Sequence, residues 1–368
     1  MILNPPSYDE MKVFPLRKYW GNMIFREGVF LDEKIQEIIH QYRLSVQSMK
    51  KVRGAWQLET EEGKMILIAC TGTNKRLEVE NMIKRHLIEK GYEKVDLYRE
   101  KEDGDFISYD RYGNGYVMKR WFEGEEVELT DVKDQIFASK NLGLLHKKLC
   151  GIWNEDGSVI RLGRSETLID QLERHNRELK RVYSYILSKN RRSDFETLYL
   201  SLYSEYYAQA VEAVERLKES EYMQLLEVAL RNGELVHGSY NQHKVLKLEG
   251  GDSVATLDFS KSEGGLQLLD LYHFLRKTLE KNNWNYECVT NVIEAYEMEK
   301  PVTDSEREIL YDLFLYPEKF WKAANYYFNS RKSWVSIRTS QKLEDVRNQA
   351  EEKSGFLQKL EQWCILKR

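Results

Sequence analysis

At 368 residues, with 42% apolar and 32% charged side chains of mixed sign, the chain is longer than one hydrophobic core usually supports, so two lobes are expected. A net charge of only −4 gives no global pull toward nucleic acid or an anionic membrane, and neither is expected as a partner. No apolar run approaches the roughly 18 to 20 residues of a membrane span, and Met1 to Glu10 has neither a basic region nor an apolar signal core; synthesis in the cytoplasm is expected. The four cysteines, Cys70, Cys150, Cys288 and Cys364, form no C-x-x-C pair and read as free thiols, mostly buried.

In chain order, the first element is a helix over Asp32 to Tyr42, with Ile35, Ile38 and Ile39 on one face. Ala55 to Glu59 and Lys64 to Cys70 flank Thr60-Glu61-Glu62-Gly63 and predict a hairpin. A helix follows over Lys75 to Lys90, ended by Gly91, and then a second hairpin from Phe106-Ile107-Ser108-Tyr109 and Tyr116-Val117-Met118. The predicted order is strand, strand, helix, strand, strand.

From Thr130 the pattern becomes helical. One helix runs to about Leu149, with Val132, Ile136, Leu142, Leu145 and Leu149 facing inward and Asp131 and Asp134 in its first turn. Others are expected over Glu166 to Lys189, Phe195 to Arg231, Leu266 to Lys281, Cys288 to Met298 and Asp304 to Phe314, with a solvated amphipathic helix from Leu343 to Arg368. Between Glu234 and Phe259 the periodicity breaks into short strands: Leu235-Val236, Val245 to Leu248 and Ser253 to Phe259. The aromatic group Trp321, Tyr326, Tyr327, Phe328 and Trp334 reads first as packing of a helix onto the helical lobe and second as a partner surface.

The insert carries the motif. His237-Gly238-Ser239-Tyr240-Asn241-Gln242-His243-Lys244-Val245-Leu246 is similar to the catalytic loop H-G-D-x-x-x-x-N-(V/I)-L of aminoglycoside and choline-type kinases, and Leu257-Asp258-Phe259 resembles their metal-binding step. The resemblance implies an α+β, two-lobed protein-kinase-like fold: a small antiparallel-sheet N-lobe with one helix, and a larger helical C-lobe. The division implied is 1–123 for the N-terminal segment and N-lobe and 124–368 for the C-lobe, with the loop at 237–246 and the metal-step strand at 254–259.

In that chemistry a loop carboxylate takes the proton of the attacking hydroxyl, a loop Asn and a later Asp hold magnesium, and a strand lysine paired with a helix glutamate grips the nucleotide phosphates. Here the carboxylate position is Ser239, which cannot act as the base, and the Asn position is Lys244, whose ammonium cannot ligate a cation. The strand after Gly63 offers Ile68 or Ala69 where the lysine belongs, so Glu78 or Glu80, lacking its lysine, is expected at the surface. Arg53-Gly54-Ala55 is not a glycine-rich phosphate loop.

His237 therefore reads as a residue that orders the loop rather than a proton carrier. Asp258 either binds a lone cation or caps a turn with Ser260, the second being favoured. His243 beside Lys244 reads as a solvated pair rather than a replacement phosphate site.

The chain as a whole resembles the CotS family of bacterial spore coat proteins from about Ile35 to Leu360. The likeness rests on Tyr42-Arg43-Leu44-Ser45-Val46, Arg53 to Thr60, Tyr116 to Glu126, Leu142-Gly143-Leu144-Leu145-His146, Tyr316 to Lys322 and Tyr326 to Trp334. It implies a place in the spore coat and other coat proteins as partners; with the base, the second metal ligand and the strand lysine replaced at Ser239, Lys244 and Ile68 or Ala69, the expectation is a catalytically degenerate kinase-like protein with a structural or recruiting role and no required cofactor. Two alternatives stay open. One is an atypical small-molecule phosphotransferase that uses ATP and Mg, with Asp258 and a relocated carboxylate at Asp252 or Glu263; the other is an inactive nucleotide-binding switch.

Overall fold

The computed structural model describes residues 33–52, 54–161, 166–251, 253–329 and 337–366. They form two compact units. The first holds the described residues up to Val127 together with Asn241–Ser260, and the second holds Glu128–Tyr240 and the described residues from Lys261 onward.

The first unit is built on an antiparallel sheet of five strands: β1 (Val46–Val52), β2 (Ala55–Thr60), β3 (Gly63–Ala69), β4 (Ile107–Tyr109) and β5 (Gly115–Arg120), in the order β1-β2-β3-β5-β4. Strand alternation sorts its side chains onto two faces. Met65, Leu67 and Met118 pack with Leu58 against Ile35, Ile38 and Ile39 of helix α1 (Glu33–His40). Val117 and Ile68 belong to the opposite face, in one cluster with Leu77 of helix α2 (Asn74–Glu89), Tyr98, Phe106 and Ile107. Both predicted hairpins are present, β2 with β3 and β4 with β5, and both predicted helices flank them.

Strand β1 was not expected. Its apolar positions Val46, Met49 and Val52 recur every third residue, and a register shift lies between Val46 and Ser48, so the period-two signal of a strand is absent. Three strands thus precede α2 rather than two. A second small sheet joins β6 (Gly124–Glu126), β8 (Val245–Leu248) and β9 (Val254–Thr256) in the same unit.

The second unit is helical: α3 (Val132–Lys148), α4 (Leu168–Leu187), α5 (Asp194–Glu219), α6 (Tyr222–Arg231), α7 (Leu268–Lys281), α8 (Glu287–Glu297), α9 (Asp304–Leu315), α10 (Glu318–Asn329), α11 (Ile337–Asn348) and α12 (Ala350–Leu366). A two-strand ladder of β7 (Leu235–Val236) and β10 (Glu263–Gly264) completes it. Thr167, Ser193 and Thr303 start α4, α5 and α9 with reciprocal capping boxes, which satisfy end N–H groups that would otherwise be orphaned.

Several expectations are corrected. Phe195 to Arg231 is two helices, α5 and α6, broken at Ser220, whose backbone is extended. The C-terminal stretch is likewise two helices, and it buries Leu343, Phe356 and Leu360. Val132 and Ile136 on α3 are exposed, 50% and 39%, whereas Leu142, Leu145 and Leu149 are buried as expected. Polar residues occupy the inner face instead: Gln135 donates to Leu129 O at 2.9 Å and Ser139 Oγ to Val292 O at 2.5 Å. Hydrogen bonds made inside the fold let those residues be buried.

Of the cysteines only Cys288 is fully buried; the other three are part-exposed, and all are free thiols. Trp321 stacks on His175 at 3.4 Å and donates to Glu178 Oε2, Tyr327 stacks on Phe195 at 4.0 Å, and Phe328 meets Tyr185 edge-on. Tyr326 is 44% exposed and Trp334 lies outside the described residues.

Candidate functional site

The loop that follows β7 is held by a buried carboxylate. Asp270, in the first turn of α7, accepts the His237 N–H at 2.6 Å and the Gly238 N–H at 3.0 Å. His146 on α3 stands 3.3 Å from the same carboxylate through Nε2 and 2.8 Å from the Tyr296 hydroxyl through Nδ1. Burial holds the His146 imidazole below its ordinary range, so at neutral pH it is uncharged, with Nε2–H donating to Asp270 and Nδ1 accepting from Tyr296. Burial alone would raise the Asp270 carboxyl, but its hydrogen bond to His146 and the bonds from the loop outweigh that and hold it low.

Gly238 takes φ +73°, and a Cβ there would fall 2.1 Å from the Lys261 carbonyl oxygen, so only glycine fits. The His237 ring is fully buried, and its Nδ1 accepts the Ser239 N–H at 3.3 Å.

In the first unit the fold gathers six charged side chains from distant parts of the chain. Glu80 and Lys84 lie one turn apart on α2, and both are buried, with 3% and no exposure. Lys84 Nζ is 2.6 Å from Glu80 Oε1, 3.0 Å from Asp96 Oδ1 and 4.1 Å from the centre of the Tyr98 ring, whose hydroxyl donates to Glu80 at 3.0 Å. Asp96 Oδ2 is 2.6 Å from Lys119 Nζ on β5, and Asp96 Oδ1 accepts the Asp258 N–H at 3.1 Å. Asp258 in turn lies 2.5 Å from Lys244 Nζ and accepts Ser260 Oγ at 2.6 Å.

The result is three carboxylates, Glu80, Asp96 and Asp258, matched by three ammoniums, Lys84, Lys119 and Lys244. Burial would push both Asp96 and Asp258 up; Lys119 and Lys84 at the first, and Lys244 and Lys119 at the second, pull both below the ordinary carboxylate range. Burial likewise disfavours the Lys119 ammonium, but Asp96, Asp258 and Glu80 outweigh it and raise its pKa. Asp258 holds a left-handed backbone, φ +65°, a conformation Asp tolerates better than most residues.

Three of these residues, Lys84, Asp96 and Lys119, escaped the sequence reading, and a fourth, Glu80, was expected at the surface. Glu80 is no surface residue, because Lys84 supplies the cation that the third strand lacks; Glu78 is exposed. Lys119 pairs in register with Ile66 as Val117 pairs with Ile68, so it lies on the same face as Ile68, where a strand lysine was sought, but one strand over. The alternation of Val117 with Lys119 was the available signal.

The other candidates are placed as follows. His243 Nδ1 is 2.6 Å from Glu126 Oε2, so each member of the His243–Lys244 pair faces a carboxylate. Glu263 lies in β10, opposite Val236, and Asp252 falls outside the described residues. Gly54 turns between β1 and β2 at φ +80°.

This donor set does not fit the magnesium of a phosphotransferase. Magnesium requires oxygen ligands in near-octahedral array, whereas Asp258 already faces an ammonium and a serine hydroxyl, and the loop position that would add a second oxygen is Lys244. Among the described residues no group of three or more His, Cys, Asp or Glu side chains could hold a metal ion.

Residues 35–360 match the family described as "Spore coat putative kinase YutH". The chain belongs to that family. Spore coat protein S of Bacillus subtilis (strain 168) is 22% identical to it over 342 residues, covering 89% of this chain and 94% of that protein. Among solved structures, an aminoglycoside phosphotransferase from Alicyclobacillus acidocaldarius is similar with a TM-score of 0.78 and 17% identity, over 89% of this chain and 96% of that one. Spectinomycin phosphotransferase APH(9)-Ia gives 0.57 and 12%, over 88% and 98%. At such identities the structures show the fold. This member of the spore coat kinase-like family has the α+β, protein-kinase-like fold that its sequence led us to expect.

Proposed function

We propose that this chain is a kinase-like protein that does not transfer phosphate and that serves a structural or recruiting role in assembly of the spore coat. The observation that carries the reading is Lys244 Nζ lying 2.5 Å from Asp258, an ammonium of the chain itself where the parent chemistry needs a divalent cation. Ser239 offers a neutral hydroxyl where a base is needed. Lys84, Lys119 and Lys244, the cations that could grip phosphates, are each within ion-pair distance of a carboxylate. Drawing Lys84 onto a nucleotide would leave buried carboxylates behind, a cost of about 3 to 5 kcal/mol when such a pair is broken, and moving Lys119 or Lys244 would strip a carboxylate of its cation at a smaller cost. Under this reading neither ATP nor magnesium is required.

Association with the coat, and coat proteins as partners, rest on family membership and on the likeness to spore coat protein S. No helix among the described residues is long and apolar enough to cross a membrane.

The test is a thermal-shift titration of the purified protein with ATP and GTP, with and without magnesium or manganese, since a ligand bound only by the folded state raises its melting temperature. No shift is expected at millimolar nucleotide. A metal-dependent rise that Asp258→Ala abolishes would overturn the reading that neither ATP nor magnesium is needed and make a search for a phosphate acceptor the next step, with turnover separating a phosphotransferase from an inactive nucleotide-binding switch.

A further inference from the structure

The helical unit contains a small pocket remote in sequence from the kinase-like loop, with an unusual charge balance. Tyr206 of α5, Tyr272 and Trp284 on and after α7, and Phe314 of α9 give it an aromatic lining. Its cavity volume is about 30 Å³, where a single water needs about 10 to 15 Å³. There is room for a group of a few heavy atoms.

The two carboxylates at the pocket are already committed. Glu280 is 2.5 Å from Arg276 Nη1, and Glu318 is 3.0 Å from Arg276 Nε, accepts the Tyr272 hydroxyl at 3.0 Å and pairs with Lys322. Two further cations line the same space without a carboxylate. Lys319 Nζ reaches the neutral amide oxygen of Gln349, at 3.3 Å, and no carboxylate within ion-pair distance among the described residues. Lys353, on α12, has no carboxylate within ion-pair distance among the described residues, and its ammonium lies 5.6 Å from the centre of the Trp284 ring. Phe356, one turn on and buried, packs against Trp284 and Phe314 and fixes this part of α12 over the pocket.

An ammonium taken out of water without a counter-charge is costly. Burial pulls the Lys353 ammonium down to about 8, and the Arg276 charge adds to the fall, while Glu280, Glu205 and Glu318 act against it from beyond ion-pair distance. A water molecule could fill the space, but it would bring no negative charge to Lys353 or Lys319.

We propose that this pocket binds a small oxyanion of phosphate or sulfate type, held between Lys353 and Lys319 over the aromatic floor. The site is separate from any nucleotide chemistry, so its fate does not depend on the reading of the Lys244–Asp258 pair.

The experiment is a thermal-shift titration of the full chain with sodium phosphate and with sodium sulfate, each against sodium chloride at equal ionic strength. Both oxyanions are expected to raise the melting temperature along a saturating curve that chloride does not reproduce. Lys353→Met should abolish the saturable part, and Lys319→Gln should shift its midpoint at least several-fold to higher concentration. If Lys353→Met does not fold, calorimetric titration of the unaltered protein with sulfate decides, one saturable site being expected. Absence of saturable binding to the unaltered protein, or a Lys353→Met protein that responds as the unaltered one does, would overturn the assignment.

Discussion

Replacing Lys84 with alanine is expected to lower the unfolding free energy by about 3 to 5 kcal/mol, the range for removing one partner of a buried ion pair. The side chain has no solvent exposure, and its ammonium lies between Glu80 and Asp96 at 2.6 and 3.0 Å. Without it, two buried carboxylates keep only Lys119, Tyr98 and the Asp258 N–H as neighbours of opposite polarity. Urea unfolding followed by tryptophan fluorescence measures the loss. A double variant, Lys84→Met with Glu80→Gln, should recover part of it, because one of the stranded charges is gone. A loss below about 1 kcal/mol for Lys84→Ala would mean that the network behaves as a surface ion pair.

The same carboxylates set an acid limit. Asp96 and Asp258 are held below their ordinary value of 3.8, so their contribution is fully present above that pH and is lost as pH falls below it. Unfolding midpoints measured between pH 7 and 2.5 should fall at the acid end. The fall should be shallower in Asp258→Asn, which removes one of the protonations.

Gly238→Ala is expected to cost about 3 kcal/mol or more. A left-handed backbone strains an alanine by about 1 to 3 kcal/mol, and here the new methyl would also fall 2.1 Å from the Lys261 carbonyl oxygen, so the backbone itself must move. That displacement would break the bonds by which Asp270 holds the loop. Gly113→Ala is the control: its φ is +79°, but nothing lies within 4 Å of the added carbon, so about 1 kcal/mol is expected. Equal losses for the two variants would show that the approach of Lys261 is soft.

The hairpins, α1, α2 and most of the long helices were legible because their apolar positions follow one period from end to end. The misses have physical causes. In β1 the partly buried residues recur every third position, which is neither a helical nor a strand period. On α3 the inner face is lined with Gln135, Ser139 and His146, each of which makes a side-chain hydrogen bond inside the fold, so ranking positions by hydrophobicity turned Val132 and Ile136 inward. Across Ser220 the helical pattern continues while the backbone does not. The loop and the Asp258 step could be read as a motif because their spacing is local. The charge network could not, since Glu80, Asp96, Lys119 and Lys244 come together only when four separate segments have folded.

Gln41 lies just past the end of α1. Its side-chain amide donates to the Tyr109 carbonyl at 2.9 Å and accepts the Tyr109 N–H at 3.3 Å, the two bonds an adjoining strand would make. This occupies the free margin of β4, and the opposite margin, β1, carries the exposed Lys50 and Lys51. Both flanks therefore resist being lengthened by a strand from another molecule. Growth of a layer by adding strands to this five-stranded sheet is therefore opposed at both of its ends.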